Sequence, residues 1–194
     1  MKMQLWIDLE TTGLSPDSAE IIEVGWFVSD NWEWLTQPQF AVVTPDKTTW
    51  ELLKQDLVVQ TMHTQNNLVH ELTYGDTLMI EDIEDQILDD LRPLQAQTPK
   101  QPVILAGSSV HFDRGFISEY MPRLDRQLSH RHLDVSTLRM FFDSLGYANL
   151  GDDMPLSNHR AQDDIVKSYE LARKYVNLVN LMSELREGAE NAQR

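Results

Sequence analysis

The chain has 194 residues, no cysteine, and 16 Lys plus Arg against 31 Asp plus Glu, for a formal charge of −15. That length suits one domain with a sizeable core, and the missing thiols exclude disulfide frameworks and thiolate zinc sites. The acidic balance argues against a long basic groove that tracks many phosphates; no apolar run reaches the roughly 18 residues of a membrane span, and the start lacks a signal-peptide core, so a cytoplasmic location is expected.

Residues 3–8 read as a short apolar strand, and Thr11 to Asp17 as turn chemistry. Ile21 to Val28 is rich in β-formers and reads as a second strand. Residues 32–35 and 39–43 suggest a third, broken around Pro38, and the three together suggest an antiparallel meander. Trp26, Trp32 and Trp34 fall in these segments and read as sheet packing. A weak helical pattern covers 48–62. A better one covers 77–94, where Leu78, Ile80, Ile83, Ile87, Leu88 and Leu91 form a broad stripe. Residues 95–102 read as a polar connection. Pro102 to Ala106 then reads as a buried strand before the Gly107-Ser108-Ser109 turn. Helices are expected over about 113–121 and 135–145, then from about Asn158 past Leu185, after a loop over 146–158. The order is a mixed α/β pattern with helices packed on a central sheet, in one domain over residues 1–186 with a frayed or disordered tail at 187–194.

Chemistry concentrates in three short stretches. Asp8 and Glu10 are two apart in a strand with apolar flanks, so their side chains point to the same face. Two adjacent like charges in a buried strand need neutralisation, and divalent cations supply it. Asp113 follows the small-residue turn; it suits a helix N-cap and also a site residue, since sites are built where strands turn into helices. His159 and Asp164 are five apart, which on a helix is about 140° past a full turn. They converge only if His159 precedes the regular helix. Spacing leaves Asp163 and Asp164 both open as the inward acid.

Asp8-Leu9-Glu10-Thr11-Thr12-Gly13-Leu14, the later Asp113, and His159 with Asp164 in that order resemble the three motifs of the DEDDh family of 3′-to-5′ exonucleases. Within it, Asp113-Arg114, Tyr120-Met121-Pro122 and Leu133-Asp134-Val135-Ser136-Thr137-Leu138 are similar to the oligoribonuclease group. The resemblance spans roughly residues 4–175. It implies an RNase H-like fold, a mixed five-stranded sheet flanked by helices. It also implies two divalent cations, Mg²⁺ or Mn²⁺, held by Asp8, Glu10, Asp113 and Asp164, and it selects Asp164 over Asp163. Asp8 would bridge both ions, Glu10 and Asp164 would hold the one beside the attacking water, and Asp113 the one near the leaving oxygen. His159 would be the general base, the role histidine fills most often in such chemistry. Leu14 would wedge against the terminal bases and His63 would stack on a base. Ser109, Arg131 and Ser136 would hold the 5′ phosphate of a short substrate. The chain departs from that group at Thr12, Ser108 and His130, and Trp50 is the nearest tryptophan before His63; these positions bear on the short-substrate preference and on the expected homodimer.

The resulting expectation is a metal-dependent 3′-to-5′ exonuclease that converts short single-stranded RNA to nucleoside 5′-monophosphates, with no membrane partner. The alternatives are a broader single-strand DNA or RNA exonuclease of the proofreading type, a silent nucleic-acid-binding module, and an interaction protein working through its acidic surface.

Overall fold

The computed structural model describes residues 3–97, 102–151, 154 and 156–192. Parts of the expected 95–102 connection, the 146–158 loop and the tail lie outside the described residues. Strand β1 (Gln4–Thr11) pairs antiparallel with β2 (Ile21–Asp30) and parallel with β6 (Val103–Gly107). Strand β2 pairs antiparallel with β4 (Gln39–Val43), and β6 pairs parallel with β7 (Leu128–Asp134). Two residue pairs, β3 (Glu33–Trp34) on β2 and β5 (Thr77–Leu78) on β4, complete a mixed sheet. The five longer strands are those a five-stranded sheet requires; the two short additions come from the Trp34 hairpin and from Thr77–Leu78, which pairs with β4 instead of opening a helix.

Helices α1 (Lys47–Gln55), α2 (Leu57–Gln65) and α3 (Leu68–Tyr74) follow β4, and α4 (Ile80–Gln97) follows β5. The single weak helix expected over 48–62 is thus divided. The cause is Asp56, whose carboxylate accepts from the amides of Val58 and Val59 and starts α2 anew. Helices α5 (Val110–Tyr120), α6 (Pro122–Asp125), α7 (Val135–Ser144) and α8 (Ala161–Ala192) complete the chain. Helix α8 has helical backbone as far as Ala192. Among the described residues no helix is long and apolar enough to cross a membrane.

Strand periodicity sorts β1 into two faces. Leu5, Ile7 and Leu9 join Ile83, Ile87 and Leu91 of α4 and Phe116 and Ile117 of α5 in one buried cluster. Trp6 belongs to the opposite cluster, with Phe27, Val135 and Ile165, Tyr169 and Ala172 of α8. The Trp6 ring stacks on Phe27 at 5.9 Å and meets the edge of Tyr169 at 5.2 Å. Burying side chains of this size contributes on the order of 2–3 kcal/mol each. Asp8 and Glu10 share the parity of Trp6, so this packing turns both acids toward the face that carries α8.

Gly25 makes that approach possible. It stands opposite Asp8 in the β1–β2 register, and a Cβ built there would lie 2.5 Å from the carbonyl carbon of Ala161, at the start of α8. The obstacle is backbone and cannot turn aside. Gly25→Ala is expected to cost about 3 kcal/mol of stability. Chemical denaturation reads it directly; an unchanged midpoint would mean that α8 does not rest on β2.

Candidate active site

Three elements deliver the acids. Strand β1 carries Asp8, partly buried, and Glu10, 8% exposed, toward α8. Asp113 lies in the first turn of α5, 3% exposed, and its Oδ1 accepts from the Leu9 amide at 3.0 Å. That bond ties the α5 start to the strand between the two other acids. Asp164 lies in the first turn of α8. His159 stands just before that helix with φ +54°, so it is outside the regular helix and free of the five-residue phase problem. Ser157 joins the pieces: its Oγ accepts from the His159 amide at 3.0 Å and donates to Asp164 Oδ2 at 2.6 Å.

Asp8, Glu10, Ser109, His159 and Asp164 all line one open cavity of about 760 Å³. Single ligand atoms of Glu10, His159 and Asp164 lie within 4.8 Å of one another. Asp163 faces elsewhere, taking a hydrogen bond from Asn158 Nδ2, so between the two acids the structure turns Asp164 inward. Asp113 is not on the cavity wall, yet its charge acts on both Asp8 and Glu10.

The electrostatics show what this crowding costs. Burial pushes Glu10 up to about 8, reinforced by Glu23, Asp164 and Asp113 and opposed by the Arg160 guanidinium. Burial likewise pushes Asp113 up to about 7, against the hydrogen bonds it accepts from its own amide and from Leu9. Asp8 is raised well above the usual carboxylate range by burial, then by Asp113, Glu10 and Asp164. A group whose folded pKa is raised stabilises the fold fully below its unfolded value, and that contribution is lost as pH rises through the folded value. Without metal, therefore, the melting temperature is expected to fall between about pH 5 and 8. With Mg²⁺ the decline should shrink or reverse, because a cation favours the ionised acids. Melting curves in EDTA and in Mg²⁺ that run parallel across this range would contradict the account.

This donor set fits hard divalent cations. Its ligand atoms are carboxylate oxygens, which Mg²⁺ and Mn²⁺ prefer, with the His159 imidazole beside them, and its buried acids repel one another in the absence of added positive charge. Nearby protein cations supply only part of it. Lys167 Nζ pairs with Asp164 Oδ1 at 2.9 Å and donates to the Leu156 carbonyl, also at 2.9 Å.

The substrate residues divide. Leu14 is 87% exposed beyond the end of β1, so it is not a core leucine. Ser109 and Ser136 meet, Oγ to Oγ at 3.1 Å, both organised by Asp134 Oδ1 through their amides. Arg131 lies on the exposed stretch of β7 and is not among the residues lining the cavity. His63 is wholly buried and is not among the residues lining the cavity. Its Nε2 lies 3.7 Å from Glu10 Oε2, and burial pushes the imidazole down to about 4, which keeps it neutral. The sequence reading missed Arg139 and Lys167, both on the cavity wall, and Ser157. Lys167 follows Asp164 by three residues, a helical spacing that signals a shared face. Arg139 and Ser157 have no comparable signal.

Comparison with known proteins places the chain in a family. The RNase_T exonuclease family matches residues 5–172. An oligoribonuclease of Coxiella burnetii is 33% identical over 91% of this chain and 94% of its own. One of Pasteurella multocida is 36% identical over 93% and 96%. One of Corynebacterium diphtheriae is 36% identical over 84% and 77%. Among solved structures, exonuclease I of Methylocaldum szegediense superposes with TM-score 0.61 at 13% identity, covering 90% of this chain and 40% of that one. E. coli exonuclease I bound to a dT13 oligonucleotide gives 0.60 at 13% identity, covering 95% and 43%. The chain thus spans about 40% of the length of these two structures, and at such identity they establish the shared fold.

Proposed function

The chain belongs to the RNase_T exonuclease family and is a 3′-to-5′ exonuclease, and from that premise we propose that it hydrolyses short single-stranded oligoribonucleotides to nucleoside 5′-monophosphates with the aid of two divalent cations. The observation that carries this reading is the meeting of Glu10, Asp164 and His159 within 4.8 Å beside Asp8, in a cavity open to solvent. Asp8, Glu10, Asp113 and Asp164 would hold the cations, Mg²⁺ or Mn²⁺. When bound, such a pair stabilises the charge on the entering and leaving oxygens of an in-line displacement.

The rest is the work of this chain's own residues. A ring nitrogen of His159 takes the proton from the attacking water, and its exposed position lets it pass that proton to solvent. Leu14, exposed beyond the end of β1, offers an apolar contact to a terminal base. Ser109 and Ser136 present hydroxyls to a phosphate, with Arg139 on the same cavity wall as Ser109. Scarce basic residues suit a substrate of a few nucleotides better than a long strand. We read residues 1–186 as one exonuclease domain. The exposed apolar side chains Phe141 and Leu145, at the end of α7, and Val179 and Met182 of α8 line one surface cavity and support the homodimer the family resemblance implies.

The test is turnover on a length series of 5′-labelled RNA and DNA with Mg²⁺ or Mn²⁺. Dinucleotides and other short RNAs are expected to be cut fastest, and EDTA should abolish all cleavage. A strong preference for long DNA would replace this reading with a broader single-strand exonuclease.

A further inference from the structure

His159 adopts a left-handed backbone, φ +54°, which for a residue with a Cβ costs on the order of 1 kcal/mol and persists only when its surroundings enforce it. The side chain is exposed, so core packing does not hold it. The enforcement comes from the main chain on either side. Asn66, at the junction of α2 and α3, donates its Nδ2 to the carbonyls of Asn158, at 3.2 Å, and of His159. Its own Oδ1 is anchored by the Leu68 amide at 3.1 Å. The next residue, Arg160, is clamped on two sides. Its Nε and Nη2 reach the carboxylate of Glu23 at 2.6 to 3.2 Å, and its Nη1 and Nη2 reach that of Glu71 at 2.9 and 2.7 Å. Glu23 is wholly buried on β2, opposite Glu10, and also accepts from the Ala161 amide at 2.9 Å. None of Arg160, Glu23, Glu71 and Asn66 is on the wall of the catalytic cavity.

We propose that Arg160, clamped between Glu23 and Glu71 and backed by Asn66, is a positioning residue that latches the turn bearing His159 so that the imidazole stays over Glu10 and Asp164. The inference rests on His159 being the general base. A planar fork holding two carboxylates fixes both the height and the rotation of the backbone it hangs from, which a point charge does not. Misplacing a base by about an ångström costs rate of up to about 100-fold without touching the affinity for substrate. If Arg160 only balanced the buried charge of Glu23, its loss would weaken the fold and leave the turnover of the folded fraction alone.

A double-mutant cycle separates the two. Arg160→Gln and Glu71→Gln are made in the parent chain and in His159→Ala, and kcat and KM are measured on a short RNA with Mn²⁺, with folded fraction read by circular dichroism. In the parent chain Arg160→Gln is expected to lower kcat about 30- to 100-fold and Glu71→Gln about 3- to 10-fold, with KM within about twofold. In His159→Ala neither should lower the residual kcat further, because the base they position is gone. Equal losses in both backgrounds, a change in KM alone, or full kcat in folded variants would overturn the latch. Removing Arg160 leaves Glu23 buried and unpaired; if that variant does not fold, Glu71→Gln, at a half-exposed partner, decides by the same two outcomes. Wild-type kcat in His159→Ala itself would overturn the base assignment and the latch with it. Loss there, with none in the other two variants, overturns the latch alone.

Discussion

His159→Ala is expected to lower kcat by about 10²- to 10⁴-fold, the range for loss of a positioned general base, while Mn²⁺ affinity changes little. The argument is geometric. The ring sits in an exposed turn ahead of α8, with one ligand atom within 4.8 Å of those of Glu10 and Asp164. It is close enough to serve a water held among the acids, and it adds nothing to the core. The variant should therefore fold as the parent does, and its melting temperature in EDTA should match. A kcat within about threefold of the parent would remove His159 from the reaction.

Asp8→Asn is expected to abolish both turnover and tight divalent-cation binding. Ionisation of Asp8 is opposed first by burial and then by every other acid of the site, in the order Asp113, Glu10, Asp164 and Glu23. Asp8 therefore occupies the electrostatic centre of the cluster, and an amide there removes the charge that a shared cation would answer. The same argument gives an opposite sign for stability. Without metal, Asp8→Asn relieves repulsion, so its melting temperature in EDTA at about pH 8 should exceed that of the parent chain. In Mg²⁺ the order should reverse, since only the parent gains from binding. A site that trades stability for function behaves in this way. A variant that melts lower in EDTA and keeps its activity would contradict both halves.

The parts of this site that are legible in sequence are those governed by local periodicity. The apolar flanks of Asp8 and Glu10 announce a central strand, and the alternation of β1 puts both acids on one face; Trp6 then shows which face, through its contact with α8. The strand β7 leaves no such trace. It runs along the sheet edge with Ser129 to Leu133 partly or fully exposed, so its residues carry no apolar alternation to read. The burial of His63 beside Glu10 is likewise not legible, because it depends on how α2 packs and not on local spacing. The choice between Asp163 and Asp164 depends on where the helix begins, and spacing does not supply that. The Arg160–Glu23–Glu71 cluster is less legible still, because its partners lie 137 and 89 residues from Arg160 and meet only in the tertiary structure.

The most direct measurement is the number of Mn²⁺ ions the chain binds, read by electron paramagnetic resonance titration of metal-free protein in the presence of a short, uncleavable RNA analogue. Two ions per chain, reduced in Asp8→Asn and unchanged in His159→Ala, are the predicted result. No bound Mn²⁺ at concentrations that sustain cleavage, or cleavage that survives EDTA, would show that these acids do not form a cation cage.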